Sequence, residues 1–294
     1  SVGVYKTNTD AWQPRMNDPD LTPDSISSTS TSDDAAEESF SGPQSEDFLP
    51  PLWCMEPRIF AVEKSAAGKR RYLVGHLGRF LDLYWRKTDP YQRHYYELIR
   101  EGTPGRLYLD LEFTRAANPD VNDDVAEQLV TELIQELSLS LKQVYGFDVD
   151  RSAFVDLDSS TPKKFSRHLI VHLPHESLFV DAPAVGSFIR HVVGRLAEEI
   201  ATGELQRRRP ILAKHLFVRT KERDADEAPD ATLQVGFADD TTCFIDIGVY
   251  TRNRLFRLLA SAKYGKPSSA ALRIATANTF PFPKGFTNDP IANR

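Results

Sequence analysis

Cysteine is scarce in this chain of 294 residues, which contains two, Cys54 and Cys243. They lie far apart, without a CxxC pair or a clustered histidine, so the sequence indicates neither a disulfide framework nor a zinc site. Two reduced core thiols in an intracellular protein are the expectation. Long apolar runs are missing as well: none approaches the roughly 18 residues of a membrane span, and no secretory signal pattern begins the chain.

Basic residues are absent from two acidic stretches. Residues 18–47 carry nine acids and residues 224–240 carry six, and neither stretch contains lysine or arginine. Without these fifteen acids the net charge of −6 becomes +9, so the remaining chain is basic and suited to a polyanionic partner. Residues 18–47 also have too few large apolar side chains to offset the entropy of ordering. We therefore predict that residues 1–51 are a disordered, acidic and serine-rich segment.

The spacing of apolar residues predicts strands and helices intermingled along the chain. The predicted strands cover 58–63, 68–76, 94–99, 107–113, 154–158, 165–173 and 241–250. The predicted helices cover 76–86, 123–145 and 185–199, the second capped by Asn122 and Asp123 at its start and by Gly146 at its end. Residues 201–242 show no clear period and are interpreted as a long loop or insertion. This order favours a mixed α+β fold over a doubly wound parallel sheet.

The predicted strand LYLDLEF, residues 107–113, carries two carboxylates. Side chains alternate between the faces of a strand, so Asp110 and Glu112 share one face with Tyr108, while the leucines and Phe113 face the core. Two acids on one face can converge on a hard divalent cation such as Mg²⁺ or Mn²⁺. Taken alone, however, the pattern favours two acids that simply face water.

The stretch FIDIG, residues 244–248, supplies a lone acid, Asp246, among strand-forming residues. Beside Asp110 and Glu112 it would complete a two-metal site, in which cations about 3.5–4 Å apart assist the attacking and leaving oxygens. On its own, a solvent-facing acid is the simpler interpretation.

The stretch KKFSRHLIVHL, residues 163–173, places Ser166 and His168 on one strand face, just after Lys163 and Lys164. Their hydroxyl, imidazole and ammonium groups can donate several hydrogen bonds to a polyphosphate. A Ser–His hydrolase is disfavoured because the two residues lie two apart on one strand and no GxSxG elbow occurs. The simpler alternative is a polar strand face with a satisfied histidine.

The stretch YTRNRLFRLLASAK, residues 250–263, crowds basic residues directly after Asp246: Arg252, Arg254, Arg257 and Lys263. Arginine binds phosphate oxygens bidentately, although a basic run of this kind is more often a solvated face. No Walker A loop, kinase glycine loop or GxGxxG fingerprint occurs, so any phosphate would be held by side chains.

Together these stretches resemble the primase–polymerase branch of the archaeo-eukaryotic primase superfamily. The matching residues are RYLV (71–74), LYLDLEF (107–113), LDSSTPKKFSRHLIVHL (157–173) and FIDIGVYTRNRLFRL (244–258), in the family's order and spacing. The resemblance runs from about residue 58 to residue 282. It implies an N-terminal α/β module, expected at 52–105 and 177–242 with 201–242 as a variable insertion. It also implies a catalytic module related to the RNA-recognition fold, expected at 106–176 and 243–294, with the active site in the cleft between the two.

The resemblance also implies roles for residues. Asp110, Glu112 and Asp246 would ligate two catalytic Mn²⁺ or Mg²⁺ ions. The incoming nucleoside triphosphate would be bound by six residues, Lys164, Ser166, His168, Arg254, Arg257 and Lys263. Arg70, next to the RYLV strand, would contact the template.

The implied activity is template-dependent DNA primase and polymerase chemistry on single-stranded DNA, with dNTP or NTP as substrate and pyrophosphate as product. The implied setting is replication restart, translesion synthesis and damage tolerance in the nucleus and mitochondrion, by a monomer. Two rival interpretations remain: a single-strand-binding module without chemistry, which lacks an RNP1-type motif here, and a metal-dependent nuclease using the same carboxylates.

The sequence departs from the family in two respects. The family often has Asn between the residues matching Arg254 and Phe256, where this chain has Leu255, so a nucleotide contact is lost or supplied by Asn253. Family members also carry a C-terminal Cys/His zinc module and a segment that recruits single-strand-binding protein, and neither occurs before Arg294. Without the zinc module, strand extension is a safer expectation than primer initiation unless the chain is a truncated piece of a longer protein, and we favour truncation. The first residue, Ser1 instead of Met, is compatible with a processed product or a fragment.

Overall fold

The computed structural model describes residues 4–5, 57–222 and 240–288. Most of the predicted disordered segment, Cys54 and most of the acidic stretch 224–240 lie outside the described residues. Within the described ranges, no helix combines the length and apolar character needed to cross a bilayer.

Strands and helices alternate irregularly along the chain, which confirms the mixed α+β class. The strands are β1 (Val4–Tyr5), β2 (Arg58–Glu63), β3 (Arg70–Gly75), β4 (Tyr95–Ile99), β5 (Leu107–Thr114), β6 (Phe154–Asp158), β7 (Lys164–Val171), β8 (Leu178–Phe179), β9 (Phe217–Arg219), β10 (Thr241–Cys243), β11 (Arg254–Arg257) and β12 (Arg273–Ile274). The α-helices are α1 (Leu77–Leu81), α2 (Asp123–Tyr145), α3 (Ala182–Ala201), α4 (Glu204–Arg208) and α5 (Pro210–His215). A π-helical segment continues α1 over Asp82–Lys87, and 3₁₀ turns occupy Pro90–Gln92, Arg151–Ala153, Pro174–Glu176, Ile247–Val249 and Ser268–Ala270.

The first four-stranded sheet has the order β11-β4-β2-β3, and all its neighbours are antiparallel. The strands predicted near 58–63, 68–76 and 94–99 are confirmed. Phe60 and Val62 of β2 pack with Phe80 of α1 and Tyr84 of the π-helical segment in a small aromatic core. The predicted helix at 76–86 is therefore present, although its second half is π-helical.

The second four-stranded sheet has the order β12-β6-β7-β5 and is also antiparallel. Leu107, Leu109 and Leu111 of β5 are fully buried in the main core, which they share with helices α2 and α3. The prediction that one face of LYLDLEF meets the core is confirmed, and the other face carries the acids.

Helix α2 covers the predicted residues and ends as predicted. Asn122 Oδ1 accepts a hydrogen bond from Val125 N–H, and Gly146 follows the helix in the left-handed region at φ 75°. The buried apolar side chains of the helix include Leu129, Val130, Leu133, Ile134, Leu137 and Leu141. Val144, in the last turn of the helix, is 46% exposed, so the buried stripe stops at Leu141.

Helix α3 contains two glycines whose surroundings differ. A β-carbon added at Gly186 would lie 2.6 Å from Tyr250 Cβ, whereas one added at Gly194 would meet no atom within 4 Å. We expect Gly186→Ala to destabilise the fold by roughly 1–3 kcal/mol because the two backbones must separate. We expect Gly194→Ala to stabilise it by up to about 1 kcal/mol through helix propensity. Urea unfolding of both variants measures the contrast, and equal effects would contradict the close contact at Gly186.

The interpretation of residues 201–242 as a long loop is wrong for the part that the structure describes. Helices α4 and α5 and strand β9 cover most of residues 204–219, and β9 pairs with β10. Leu205, Leu212 and Leu216 are fully buried in the main core. Elements of this length are too short to show a period of their own, so their sequence pattern cannot be distinguished from that of a loop.

Strand β11 links the two sheets. It pairs with β4 of the first sheet, while Phe256 packs on His168 and Tyr108 of the second. The main core likewise joins α3 to β5 and β7. The predicted division counted β11 with residues 243–294 and α3 with the N-terminal module, and that division stays a prediction.

Candidate active site

The pairing of β5 with β7 determines which predicted residues meet. Asp110 lies opposite His168, and Glu112 lies opposite Ser166. Residues opposite each other in an antiparallel pair point to the same side, so these four side chains share the face opposite the buried leucines. The sequence predicted each pair on a strand face, and the register brings the two pairs together.

Asp246 joins this face through the backbone. Its N–H donates to the carbonyl oxygen of Asp110 at 2.8 Å, and Glu112 N–H donates to the carbonyl oxygen of Phe244 at 2.8 Å. These bonds flank an isolated antiparallel bridge between Leu111 and Ile245. Asp246 is therefore the neighbour of Asp110 on one side, and His168 is its neighbour on the other.

The predicted strand at 241–250 is wrong in its second half. Regular pairing ends at Cys243, and a 3₁₀ turn covers Ile247–Val249. Asp246 Oδ1 accepts a hydrogen bond from Gly248 N–H at 2.8 Å. An aspartate that bonds its own backbone two residues ahead stabilises a turn instead of an extended strand.

Asp110 is the most constrained of the three acids. Burial, followed by the charges of Glu112 and Asp246, raises the pKa of its carboxyl to about 6. Its Oδ1 is buried and has no hydrogen-bond partner among the described residues, and it lies 3.7 Å from His168 Nε2. A bound cation would relieve both the like-charge repulsion and the missing donor.

Asp110, Glu112 and Asp246 are not arranged as a preformed metal-binding site. Within residues 57–222 and 240–288, no group of three or more His, Cys, Asp or Glu side chains is arranged to hold an ion. The Glu112 carboxylate contacts the Lys164 ammonium, and the Asp246 carboxylate is bonded to the turn at Gly248. The oxygen donors suit Mg²⁺ or Mn²⁺ chemically, and in this arrangement the Lys164 ammonium occupies one of the two Glu112 oxygens, Oε2.

His168 is buried between the acids and the basic residues. Burial, followed by the charges of Arg257 and Lys263, lowers its pKa well below the usual 6.5, so the ring is neutral at pH 7. The ring packs on Phe256, with 4.4 Å between the ring centroids. A neutral imidazole keeps one N–H donor, which suits a phosphate oxygen.

Ser166 belongs to a chain of hydroxyls that the sequence analysis did not single out. Ser159 Oγ donates to Ser166 Oγ at 3.0 Å, and Ser160 Oγ accepts from Ser166 N–H at 3.0 Å. Arg257 Nη2 donates to Ser159 Oγ at 3.4 Å. Ser159 and Ser160 directly follow β6, so the serine pair in LDSST was the available signal.

The predicted basic phosphate ligands surround the acids and His168. Burial lowers the pKa of the Arg257 guanidinium, and its interactions with Asp110 and Glu112 oppose that effect. Arg254 Nε is buried and has no hydrogen-bond partner in the part of the chain that the structure describes. Arg254 and Arg257 are three residues apart, at the two ends of β11, and Arg257 contacts the second sheet through the Ser159 hydroxyl that follows β6.

Residues just before Arg254 face away from the acids. Arg252 is exposed, and its Nε lies 3.1 Å from Glu101 Oε1. Asn253 is exposed at a left-handed φ of 53°, and its Oδ1 accepts a hydrogen bond from Glu101 N–H at 3.2 Å. Leu255 lies opposite Leu98 in the first sheet. Asn253 is thus engaged outside the site, which gives no support to its replacing the missing family asparagine.

Arg70 lies apart from the acids, on the edge strand β3. Its Nη2 is 3.4 Å from Glu63 Oε1, and its Cζ lies 5.6 Å from the centre of the Tyr96 ring. Its predicted contact with a template stays a prediction.

The arrangement defines a class of site. Carboxylates suited to a hard cation share a sheet face with lysine, arginine, histidine and hydroxyl donors suited to a polyphosphate. Neither an acyl-transfer nor a dinucleotide-binding site has this combination of groups.

Comparison with curated proteins identifies the relatives. The chain is 35% identical over 225 residues to the DNA-directed primase/polymerase protein of Danio rerio, a match covering 76% of this chain and 42% of that protein. The proteins of the same name from Mus musculus and Homo sapiens are 33% and 32% identical over 239 and 258 residues, covering 76% of this chain and 43% and 44% of theirs. No family model matches the chain. By homology the chain belongs with the primase–polymerases, as the resemblance indicated, and it spans less than half the length of these relatives.

Proposed function

We propose that this chain carries the nucleotidyltransferase core of a template-dependent DNA primase–polymerase. In the proposed reaction the 3′-hydroxyl of a strand paired with a single-stranded template attacks the α-phosphorus of a dNTP or NTP, and pyrophosphate leaves. One observation carries the proposal: Asp110, whose Oδ1 is buried and has no hydrogen-bond donor among the described residues, lies between Asp246 and His168 on one sheet face. The identification of DNA as the template and of strand synthesis as the reaction rests on the name of the relatives, DNA-directed primase/polymerase protein.

Asp110, Glu112 and Asp246 would hold one or two Mg²⁺ or Mn²⁺ ions. The unpartnered Asp110 oxygen and the all-carboxylate donor set fit such hard cations. Bound there, divalent cations activate an attacking oxygen and neutralise charge on the leaving group. Structural zinc sites are built mainly from Cys and His ligands, so zinc would be bound only if a Cys/His module exists outside this sequence.

The triphosphate would be bound by side chains on both sides of the acids: Lys164, Ser166, His168, Arg254, Arg257 and Lys263. His168 donates through one ring N–H, and Phe256 holds the ring in place. Lys164 exchanges the Glu112 carboxylate for a phosphate oxygen when nucleotide enters, which frees Glu112. In-line displacement requires positioning and charge neutralisation more than covalent catalysis, in agreement with this set of residues.

The two sheets suggest a setting for this chemistry. We infer a cleft between an N-terminal module and an RNA-recognition-like module, with the arginines of β11 contributed from the first sheet to the acids of the second. The cellular setting belongs to the same proposal: replication restart and lesion tolerance in nucleus and mitochondrion, with single-strand-binding protein recruited through regions outside this sequence.

Primer extension tests the proposal. Purified protein with Mn²⁺, dNTPs and a labelled primer on a single-stranded template should lengthen the primer in the order that the template dictates. Shortening of the primer without any extension would favour the nuclease interpretation. Binding of the DNA without either reaction would favour the binding-module interpretation.

Asp110→Asn tests the cation site without relying on turnover. The raised pKa means that the ionised Asp110 carboxyl destabilises the metal-free fold above about pH 6, and that this cost disappears as the pH falls toward 3.8. At pH 8 we expect the metal-free variant to be more stable than the metal-free wild type by on the order of 1–2 kcal/mol. Each kcal/mol corresponds to roughly 2–4 °C in melting temperature for a protein of this size. At pH 5 the difference should shrink.

The same variant should lose the stabilisation that Mn²⁺ gives the wild type, since a ligand that binds only the folded state raises its melting temperature. Asp148→Asn is the control, because Asp148 is exposed and pairs with Lys142 far from the site. An unchanged Mn²⁺ shift in Asp110→Asn would remove Asp110 from the metal ligands.

A further inference from the structure

Glu63 is a buried carboxylate that the proposed reaction does not use. It ends β2 in the first sheet and is 8% exposed. Burial of an ionised carboxylate is costly unless donors compensate for the lost water. The hydrogen-bond donors to the Glu63 carboxylate therefore indicate the role of this residue.

Three donors from three different elements reach this carboxylate. Tyr264 N–H donates to Oε2 at 2.8 Å, and the Tyr96 hydroxyl of β4 donates to the same oxygen at 3.0 Å. Arg70 of β3 lies on the other oxygen, Oε1, at 3.4 Å. The guanidinium of Arg70 also packs over the Tyr96 ring, at 5.6 Å from its centre. One carboxylate thus fixes Arg70, Tyr96 and the backbone of Tyr264 together.

The Tyr264 bond matters because residue 263 is one of the proposed triphosphate ligands. Glu63 accepts from the peptide N–H that directly follows Lys263. Two further bonds hold the same loop: Ala262 N–H donates to the Arg93 carbonyl at 2.9 Å, and His94 Nδ1 lies 3.0 Å from the Ala262 carbonyl. Glu63 adds a further hydrogen bond to this loop, at Tyr264.

The hydrogen bond from Tyr96 also connects Glu63 to the triphosphate side of the site. Tyr96 lies opposite Arg257 in the β4–β11 pairing, so both side chains are on one face of the first sheet. Ala61 of β2 lies opposite Tyr96 on its other side, and Glu63 is two residues further along that strand, on the same face. Glu63, Tyr96 and Arg257 therefore line one sheet face that leads from Arg70 to the acids.

We propose that Glu63 is a positioning residue that couples the template side of the site, at Arg70, to the triphosphate side, at Lys263. The inference rests on the proposed function, because it assigns ligands to those two groups. Glu63 touches no reacting atom. It holds Arg70 and the Lys263 loop through the two oxygens of one rigid carboxylate, so that the two subsites are ordered together.

Glu63→Ala and Glu63→Gln test the coupling through two equilibrium affinities. We measure binding of a labelled single-stranded oligonucleotide by anisotropy, and binding of dATP with Mn²⁺ by calorimetry. In Glu63→Ala both affinities should fall by about tenfold, the size of one charge-assisted hydrogen bond. Glu63→Gln keeps one acceptor oxygen and should show smaller losses in both. In primer extension the KM for dATP should rise while kcat changes little, because a positioning contact is lost and the reacting groups remain.

Single-subsite variants sharpen the comparison. Lys263→Ala should weaken only dATP binding, and Arg70→Ala should weaken only oligonucleotide binding. Glu97→Gln is the matched structural control, since Glu97 lies in the same sheet and pairs with Arg58 at 3.0 Å. It should change neither affinity.

The outcomes separate this inference from the proposed function. Suppose that the wild type binds both ligands and extends a primer, and that the Glu63 variants do so with the same affinities. That result overturns the proposed role of Glu63 and leaves the proposed function standing. A loss of only one affinity in Glu63→Ala also overturns the coupling. A wild type that binds neither ligand and extends nothing overturns both proposals.

Discussion

Replacing Asp246 with asparagine is expected to lower the rate of nucleotide incorporation by roughly 10²–10³-fold, the cost of losing one group that stabilises developing charge. The variant keeps the local structure, because an asparagine Oδ1 can still accept the hydrogen bond from Gly248 N–H that Asp246 makes at 2.8 Å. What it loses is the negative charge beside Asp110. Single-nucleotide primer extension under saturating Mn²⁺ and dNTP measures kcat directly.

Asp150→Asn provides a control of the same chemistry. Asp150 caps a 3₁₀ turn in the same manner, accepting from Ser152 N–H at 2.8 Å, but it is exposed and outside the candidate site. It should retain wild-type incorporation and stability. If Asp246→Asn kept its activity within a few-fold of Asp150→Asn, Asp246 would have to be withdrawn from the metal ligands.

The sequence could predict which face of LYLDLEF holds the acids because alternation is a local property of a strand. Leu107, Leu109 and Leu111 are buried, and Asp110 and Glu112 stand on the other side. The same holds for the ends of α2, since capping depends on residues within one turn of the helix. These predictions needed no knowledge of what lies elsewhere in the chain.

The assembled site depended on pairings that local patterns do not contain. His168 meets Asp110 only through the register of β5 and β7, two strands separated along the chain by α2 and β6. Phe256 packs on His168 because β11 joins the first sheet, a long-range pairing that its four residues do not reveal. Resemblance to a family could bring the motifs together, but it assigned no role to Phe256 or Ser159. Both were found from the contacts of the folded chain.

The sequence analysis did not identify Glu136 for a different reason. In the pattern of α2 it is indistinguishable from the polar residues of the solvent-exposed face. It is instead fully buried, and three arginines from neighbouring elements surround it. Arg195 of α3 and Arg208 of α4 each donate to its carboxylate at 3.1 Å, and Arg209 Nε lies 3.2 Å away. The carboxylate thus joins α2 to α3 and to the segment once interpreted as a loop.

Glu136→Ala is expected to lower the free energy of unfolding by about 3 kcal/mol, at the lower end for breaking a buried ion pair, since the three arginines remain partly hydrated. Glu136→Gln, which keeps the shape and loses the charge, should cost less. Glu204→Ala is the control: Glu204 also pairs with Arg208, at 3.4 Å, but is mostly exposed, and its loss should cost no more than about 0.5 kcal/mol. Urea unfolding at pH 7 compares the three variants.

The pH dependence of the Glu136 effect follows from the sign of its pKa shift. Burial alone would raise the pKa, but hydrogen bonds from Arg208 and Arg195 outweigh burial and lower it below the usual 4.5. A carboxyl with a lowered pKa in the folded state stabilises the fold above its unfolded pKa and loses that contribution as the pH falls through the folded value. The stability difference between the wild type and Glu136→Gln should therefore be constant from about pH 6 to 8 and shrink below pH 4.5. A difference that persisted unchanged at pH 3 would mean that shape, and not charge, makes Glu136 the junction of these helices.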